Sequence, residues 1–245
     1  FRLKAHLDRL QHSLEAIDMK PPLTHAQWLA VLDELVRRNG GGDQYVYLQV
    51  TRGAETGRNH AWPDGLAPTL FAYTNELAPL DRKMLEQGVA AITAPDIRWA
   101  RRDIKSTSLL PNVLLKKQAV RAGAFETILL QQGHLTEGSS TTVHVLSGEE
   151  IRTPPNGHDI LPGTTRGVVE ELAPALGLRP RSTPVSEAEL RAAQEIWLAF
   201  STRGVLAVTT LDGRPVGSGR PGPHFQRLHQ AFLDHIAALA GTAPL

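Results

Sequence analysis

The hydrophobic positions near the start of the chain recur at three- and four-residue steps, which is the spacing of an amphipathic helix. The first such stripe consists of Leu3, Leu7, Leu10, Leu14 and Ile17. A proline pair ends it, and Thr24 then provides a capping residue type before a second stripe that stops at the glycine run 40–42. The pattern therefore predicts two successive helices in the first 40 residues.

Beyond these helices, short runs rich in β-branched and aromatic residues predict strands. They cover about residues 45–50, 69–73, 89–94, 125–130, 142–146, 150–153, 196–200 and 205–209. Further helices are predicted at about 111–122 and 164–176, after Ser186, and at 225–239. Strands and helices mix without regular βαβ alternation, which predicts an α+β fold.

The domain organisation is predicted from one segment with the composition of a linker, Asn-Glu-Leu-Ala-Pro-Leu at 75–80. A chain of 245 residues is long enough for two lobes. We therefore predict a small N-terminal lobe over residues 1–76, a linker at 77–81 and a larger lobe over 82–245.

Charge and composition exclude several classes of function. The 26 Lys and Arg residues almost balance the 25 Asp and Glu residues, so nothing favours nucleic acid or a membrane surface as a partner. Cysteine is absent, which excludes disulfides and thiolate chemistry and is compatible with a cytoplasmic location. No apolar run approaches the roughly 20 residues that span a bilayer.

Lys105 and Glu137 are the first candidates for chemistry. An amine and a carboxylate on different elements suit an aldehyde cofactor with a basic ring nitrogen, because the amine forms a Schiff base and the carboxylate keeps the ring protonated. Three arginines, Arg98, Arg101 and Arg102, precede Lys105 and are expected to lower its pKa. The alternative interpretation is a solvated basic loop and a turn glutamate.

Two further groups of residues have the chemistry of anion binding. Thr164 and Thr165 open a predicted helix, whose free N–H groups favour a phosphate, and Arg9 is a possible second contact. Arg58 and His60 lie in the long polar loop between the first two strands and suit a carboxylate clamp. The alternatives are an ordinary helix cap, a surface arginine and a solvated loop.

Taken together, these segments resemble the class IV (fold type IV) pyridoxal 5'-phosphate (PLP) aminotransferases, and within that family the D-amino acid aminotransferases. The matching stretches are collinear over nearly the whole chain, at 5–10, 47–53, 58–60, 96–99, 103–106, 109–112, 123–126, 136–140 and 163–166. The resemblance implies two lobes, the smaller one α/β and the larger one with a mixed, β-barrel-like core and flanking helices.

The resemblance also implies roles for single residues. Lys105 would be the catalytic residue that carries PLP as a Schiff base, and Glu137 would pair with the pyridine nitrogen. The other implied cofactor contacts are Arg9, Ser139, Ser140, Thr164, Thr165 and Ser201. Arg58 and His60 would form an α-carboxylate trap in the neighbouring subunit's site, which implies a homodimer. The remaining implied substrate contacts are Thr202 and Arg203, and Arg203 is expected to favour acidic substrates.

The implied activity is transfer of an amino group from a D-amino acid such as D-alanine to a 2-oxo acid such as 2-oxoglutarate. Alternatives are a branched-chain L-amino acid aminotransferase, an (R)-amine transaminase, an aminodeoxychorismate lyase or a non-catalytic PLP-binding module. The Arg58-Asn59-His60 triplet favours the D-specific branch. The family's Gly-rich first strand and its carboxylate-trap tyrosine have no counterpart after Phe1, so we expect a segment to precede Phe1.

Overall fold

A computed structural model describes residues 1–57 and 60–242, the last three of them by their backbone alone. The chain forms two compact units. The smaller unit is Leu10–Ala78, and the larger unit combines residues 1–9 with the described residues from Pro79 onward. The first nine residues thus belong with the larger unit, whereas the sequence places them in the small lobe.

The smaller unit contains two helices and a two-stranded antiparallel sheet. Its elements are the later part of α1 (Leu3–Glu15), α2 (His25–Arg38), β1 (Gln44–Thr51) and β2 (Thr69–Glu76). Thr24 caps α2, because its hydroxyl accepts the Gln27 N–H at 3.3 Å while the Gln27 side chain accepts the Thr24 N–H at 2.8 Å. Trp28 and Leu32 form the buried face of this helix.

The larger unit is built on a nine-stranded mixed sheet with the order β5-β4-β3-β10-β9-β6-β7-β8, and β11 pairs with β10. Its strands are β3 (Val89–Pro95), β4 (Glu126–Gln131), β5 (His134–Gly138), β6 (Thr142–Ser147), β7 (Glu150–Thr153), β8 (Arg179–Ser182), β9 (Glu195–Phe200), β10 (Gly204–Leu211) and β11 (Arg214–Pro215). Its helices are α3 (Arg82–Gln87), α4 (Leu110–Arg121), α5 (Thr164–Leu172), α6 (Glu187–Arg191) and α7 (Pro223–Thr242).

The sheet of the larger unit has apolar cores on both faces, and the central strand β9 supplies side chains to each. Ile196 and Leu198 belong to one core, whereas Trp197 and Ala199 belong to the other. This division follows from the two-residue repeat of a strand, in which successive side chains point to opposite faces. The α+β class predicted from the sequence is confirmed. Within the part of the chain that the structure describes, none of the helices is both long and apolar enough to cross a membrane.

The strand β5, which the sequence did not predict, excludes the alternative in which Glu137 is a turn residue. Gln132 and Gly133 have positive φ values of 51° and 76°, as a tight hairpin turn between β4 and β5 requires. Glu137 therefore lies on the second, buried strand of a hairpin and is not a turn residue. Hydrophobic patterning also did not predict α3, β8 or β11, which are short elements with little periodicity.

Candidate active site

The larger unit contains a cavity of about 620 Å³. Every sequence-predicted site residue of this unit lines it: Arg9, Lys105, Glu137, Ser139, Ser140, Thr164, Thr165, Ser201, Thr202 and Arg203. They come from the first helix, the segment between β3 and α4, the end of β5, the start of α5 and the turn between β9 and β10. The sheet and its connections thus bring together residues that are far apart in sequence.

Lys105 reaches the cavity from the segment between β3 and α4. The side chain keeps solvent-accessible surface, but protein atoms surround the amine closely enough to disfavour its charged form. Burial is therefore the largest cause of the lowered pKa of Lys105, and the positive charge of Arg9 adds to it. The negative charge of Glu137 raises the pKa of Lys105 and so opposes these two effects. A larger fraction of neutral amine follows, which is the form that reacts with an aldehyde.

The arginines that precede Lys105 are not the cause of this pKa shift, contrary to the sequence interpretation. Each is paired with a carboxylate: Arg101 lies 2.9 Å from Asp103, and Arg102 lies 3.0 Å from Asp159. Arg98 forms two such pairs, described below. Because these charges are compensated locally, Arg9 remains as the cation that acts on the amine.

Glu137 projects from β5 into the cavity wall, with 6% of its side chain exposed. Arg98 donates a hydrogen bond to one of its oxygens, and the Leu161 N–H lies 3.3 Å from both oxygens. Burial raises the pKa of Glu137, while the charge and hydrogen bond of Arg98 oppose that increase. Each carboxylate oxygen has two acceptor positions, so Glu137 retains capacity for a ligand N–H.

Arg98 is a site residue that the sequence did not assign to Glu137. Asp96 orients the guanidinium through bonds of 3.0 Å to Nε and 2.7 Å to Nη2, and the Thr136 hydroxyl donates to the same carboxylate at 2.6 Å. Asp96 has no exposed side-chain surface. The sequence did contain a signal for this role of Arg98. Asp96 and Arg98 carry opposite charges and follow an apolar strand, and charged residues are rarely buried unless they are paired.

The start of α5 lines the cavity and has features that favour an anion. Gly163 is the N-cap and no side chain caps this helix, so its first N–H groups face the site without competition from a cap. Thr165 is buried, and the Thr164 hydroxyl lies 3.2 Å from Nε2 of His6. Burial, followed by the charge of Arg9, lowers the pKa of His6 to about 4, so this imidazole is neutral at pH 7.

Arg9 lines the same cavity from the first helix. Its Nη1 donates to the Pro162 carbonyl at 2.8 Å. Its Nε is buried and has no hydrogen-bond partner among the described residues. A buried donor without a partner is costly, so this atom indicates a ligand with acceptor oxygens.

Gly163 allows the start of α5 to approach β6 closely. A Cβ at this position would lie 2.5 Å from the Thr142 hydroxyl oxygen, a distance that forces a shift. Any larger residue would therefore force either the Thr142 side chain or the start of α5 to shift. Together with Arg9, this geometry fits the phosphate group of PLP.

Part of the cavity lining is apolar. The rings of Phe125 and Phe200 lie 6.1 Å apart, and Nζ of Lys116 lies 4.3 Å from the Phe125 ring centre. Arg203 is exposed in the turn between β9 and β10, beside Ser201 and Thr202. Among the residues that the structure describes, no carboxylate pairs with the Arg203 side chain.

The predicted carboxylate clamp belongs to the smaller unit. Arg58 lies outside the described residues, and His60 is exposed in the loop between β1 and β2. The role of both residues in substrate binding stays a prediction.

Comparison with known proteins identifies the family. The model of the class IV aminotransferases matches residues 1–211, so the chain belongs to this family of enzymes. The family predicted from the sequence is confirmed.

Relatives with assigned activities are D-alanine aminotransferases. The enzyme from Bacillus licheniformis is 39% identical over 236 residues, which cover 96% of this chain and 83% of that protein. The enzyme from Listeria innocua is 35% identical over 98% of this chain and 84% of its own length.

Similar solved structures include branched-chain amino acid aminotransferases. The Escherichia coli enzyme has a TM-score of 0.88 at 25% identity, covering 96% of this chain and 79% of its own. The T.th. enzyme with pyridoxamine 5'-phosphate has a TM-score of 0.87 at 28% identity, covering 100% of this chain and 81% of its own.

Proposed function

We propose that this class IV aminotransferase transfers the amino group of a D-amino acid such as D-alanine to a 2-oxo acid such as 2-oxoglutarate, with PLP as cofactor. One observation carries the proposal. A lysine with a lowered pKa and a buried glutamate line the same cavity as a helix start that is open to a phosphate. These are the three groups that PLP requires of a protein.

The residues present fit PLP. Arg9, Thr164 and Thr165 would hold its phosphate, and Glu137 would face its ring nitrogen. The bound cofactor supplies an aldehyde that condenses with amines and a ring that withdraws electrons from the substrate carbon. The other contacts proposed on this wall are the hydroxyls of Ser139, Ser140 and Ser201.

Lys105 would hold the cofactor through its amine, and after the substrate amine displaces it the freed Lys105 amine would move a proton. Because burial and Arg9 lower its pKa, the amine is neutral in a larger fraction of molecules than an exposed lysine would be. A neutral amine can remove the proton from the substrate Cα. The same amine can then deliver this proton to C4′ of the cofactor, which is the former aldehyde carbon. Positioned acid–base groups of this kind contribute about 10²–10⁴-fold to rate.

Glu137 would keep a proton on the ring nitrogen of the cofactor. Arg98 keeps this carboxylate in one orientation and opposes the rise in its pKa that burial causes. A negative carboxylate at this position makes the ring nitrogen more basic, so the ring stays protonated and withdraws electrons effectively.

The choice of a D-amino acid rests on sequence more than on fold. The D-alanine aminotransferases are 34–39% identical to this chain, whereas the branched-chain enzymes are 24–28% identical. The Arg58-Asn59-His60 triplet also resembles the carboxylate clamp of the D-specific branch. The branched-chain activity is the second candidate, because its structures superimpose closely and Phe125 and Phe200 give the cavity an apolar wall.

The proposed assembly is a homodimer. Around the start of α4, large apolar side chains remain 44–71% exposed: Ile97, Trp99, Leu109, Leu110, Val113 and Leu114. Contiguous exposed apolar side chains of this size are typical of protein–protein interfaces. A second copy of the chain would bury them beside the cavity, which Trp99, Leu109 and Val113 also line. The cytoplasmic location stays a prediction.

A half-reaction assay tests the activity. The PLP-loaded protein is mixed separately with D-alanine, L-leucine and (R)-1-phenylethylamine, and the loss of visible absorbance is recorded. We expect D-alanine to convert the cofactor to its aminated form and Lys105→Ala to abolish conversion. Conversion by L-leucine but not by D-alanine would support the branched-chain activity instead.

A further inference from the structure

Glu126 is a buried carboxylate with no role in the function proposed above. It is the first residue of β4 and has no exposed surface. One of its oxygens accepts hydrogen bonds from the Ser139 hydroxyl and from the Thr127 N–H, the latter at 2.8 Å. The other oxygen accepts from the Ser140 hydroxyl at 2.9 Å. This carboxylate therefore lies directly behind two residues that line the cavity.

The same carboxylate packs against the backbone that follows Glu137. A Cβ on Gly138 would lie 3.2 Å from Cγ of Glu126 and 2.1 Å from the Thr141 hydroxyl oxygen, so the absence of a side chain permits this contact. Nζ of Lys116 lies 3.9 Å from Glu126 and compensates part of its charge. Glu126 thereby contacts three consecutive residues next to Glu137.

The hydroxyls of Ser139 and Ser140 both donate to Glu126. A serine hydroxyl has one proton to donate and two lone pairs that accept. The single proton of each hydroxyl is therefore used in its bond to Glu126. Only lone pairs of these two oxygens remain for the cavity.

We propose that Glu126 is a positioning residue, which directs the Ser139 and Ser140 hydroxyls so that they present hydrogen-bond acceptors to an amine in the cavity. The amine is that of Lys105 or of the substrate, so the inference rests on the proposed function. Because the hydroxyl oxygens of Ser139 and Ser140 accept hydrogen bonds, they favour the protonated form of the amine nitrogen. Glu126 thus raises the proton affinity of this nitrogen through the two serines.

The test is a spectroscopic titration of the PLP-loaded protein. The protonated lysine–PLP linkage absorbs in the visible and the deprotonated one in the near ultraviolet, so the pH midpoint between the bands reports the proton affinity of the nitrogen. In Glu126→Gln, the amide donates to one serine and releases that hydroxyl proton toward the cavity. We expect the midpoint to fall by about one pH unit, a tenfold change in proton affinity.

A double-mutant cycle distinguishes two ways in which Glu126 could shift the midpoint. Glu126 could act through the hydroxyls of Ser139 and Ser140, or its negative charge could act directly on the nitrogen. In a Ser139→Ala/Ser140→Ala background, Glu126→Gln should move the midpoint by less than about 0.3 unit, because the groups through which it acts are gone. The other charged residues that line the cavity do not change across the cycle: Arg9, Arg98, Arg102, Lys116, Glu137 and Arg203. An equal shift in both backgrounds, or no shift in either, overturns the proposal.

Two further variants keep the test decisive if Glu126→Gln does not fold. Ser140→Thr retains a hydroxyl that can donate to Glu126, whereas Ser140→Ala does not. We expect the wild-type midpoint in the threonine variant and a lowered midpoint in the alanine variant. Equal midpoints in the two variants contradict the proposal.

The matched control is Glu195→Gln, which alters another buried carboxylate that does not line the cavity. It should lower thermal stability and leave the midpoint unchanged. A wild-type protein without a Lys105-dependent visible band would refute the proposed function itself. A wild-type band with a midpoint that does not respond to the cycle refutes only the role of Glu126.

Discussion

Arg98 and Glu137 form a buried ion pair in the wall of the cavity, in which Nη1 of the arginine donates to the carboxylate. Their side chains are 7% and 6% exposed. Burial raises the pKa of Glu137, and Arg98 opposes this rise. The pair therefore sets the protonation state of the carboxylate that faces the ring nitrogen in the proposed site.

Replacing Arg98 should change the pH dependence of the reaction. In Arg98→Gln the opposing charge is lost, so the pKa of Glu137 rises further and the neutral form persists to higher pH. We expect the acidic limb of the kcat/KM profile for D-alanine to move to higher pH by about one unit. The control is Arg101→Gln, which removes a partly exposed arginine paired with Asp103. An unchanged acidic limb in Arg98→Gln would show that this ion pair does not govern Glu137.

Arg9 provides a test of the phosphate site. Its buried Nε has no partner among the described residues, and Arg9→Lys removes that donor while keeping a positive charge. We expect PLP affinity to fall by about tenfold or more, the value of one charge-assisted hydrogen bond. Equilibrium fluorescence titration with PLP measures this change. Arg37→Lys, on an exposed face of α2, should leave the affinity unaltered.

His144 should make the protein less stable in mild acid. Burial, followed by the charge of Arg166, lowers its pKa to about 3. Between that value and the unfolded pKa of about 6.5, the unfolded chain binds more protons, so stability decreases as the pH falls through this range. Between pH 7 and 4.5, we expect the free energy of unfolding of His144→Gln to fall by about 2 kcal/mol less than that of the wild type, as measured by urea unfolding.

The control for this effect is His158→Gln, since His158 is exposed. That variant should retain the pH dependence of the wild type. If both variants lose stability equally with acid, His144 is not the responsible group.

Glu195 should support folding without affecting the site. Its carboxylate accepts the N–H groups of His224 at 3.1 Å and Phe225 at 2.9 Å at the start of α7, and the Trp197 indole N–H at 2.9 Å. Glu195→Ala leaves these buried donors without a partner. We expect it to lower the free energy of unfolding by about 3 kcal/mol, as measured by chemical denaturation. The visible PLP spectrum of the folded variant should match the wild type.

Gly222→Ala tests the same contact from the other side. A Cβ there would lie 2.1 Å from Glu195, so the variant should displace the carboxylate and destabilise the protein by a similar amount. Because both changes disrupt one contact, the double variant should be less destabilised than the sum of the single ones. Additive losses would show that the two residues act independently.

Local sequence patterns predicted much of the fold. The Thr24 cap predicted the start of α2, and the apolar run at 196–200 predicted strand β9. Lys105 and Glu137 were recognisable because their flanking motifs resemble one family, and both line the cavity. The strand that carries Glu137 was not predicted, because β5 has too few residues to show a period.

Pairings between distant side chains could not be predicted from the sequence. Arg9 acts on Lys105 although the two are separated by almost 100 positions, and only the fold reveals that contact. Glu126 meets Ser139 and Ser140 next to an irregular register between β4 and β5, which no alternation rule describes. Such contacts depend on side-chain direction, which the spacing of residue types does not determine.

Covalent attachment of PLP at Lys105 is the most direct test of the central claim. The loaded protein is reduced with borohydride, digested and analysed by mass spectrometry. We predict a single phosphopyridoxyl adduct on the peptide containing Lys105, and none in Lys105→Ala. An adduct on another lysine of the wild type, or no adduct at saturating PLP, would contradict the account.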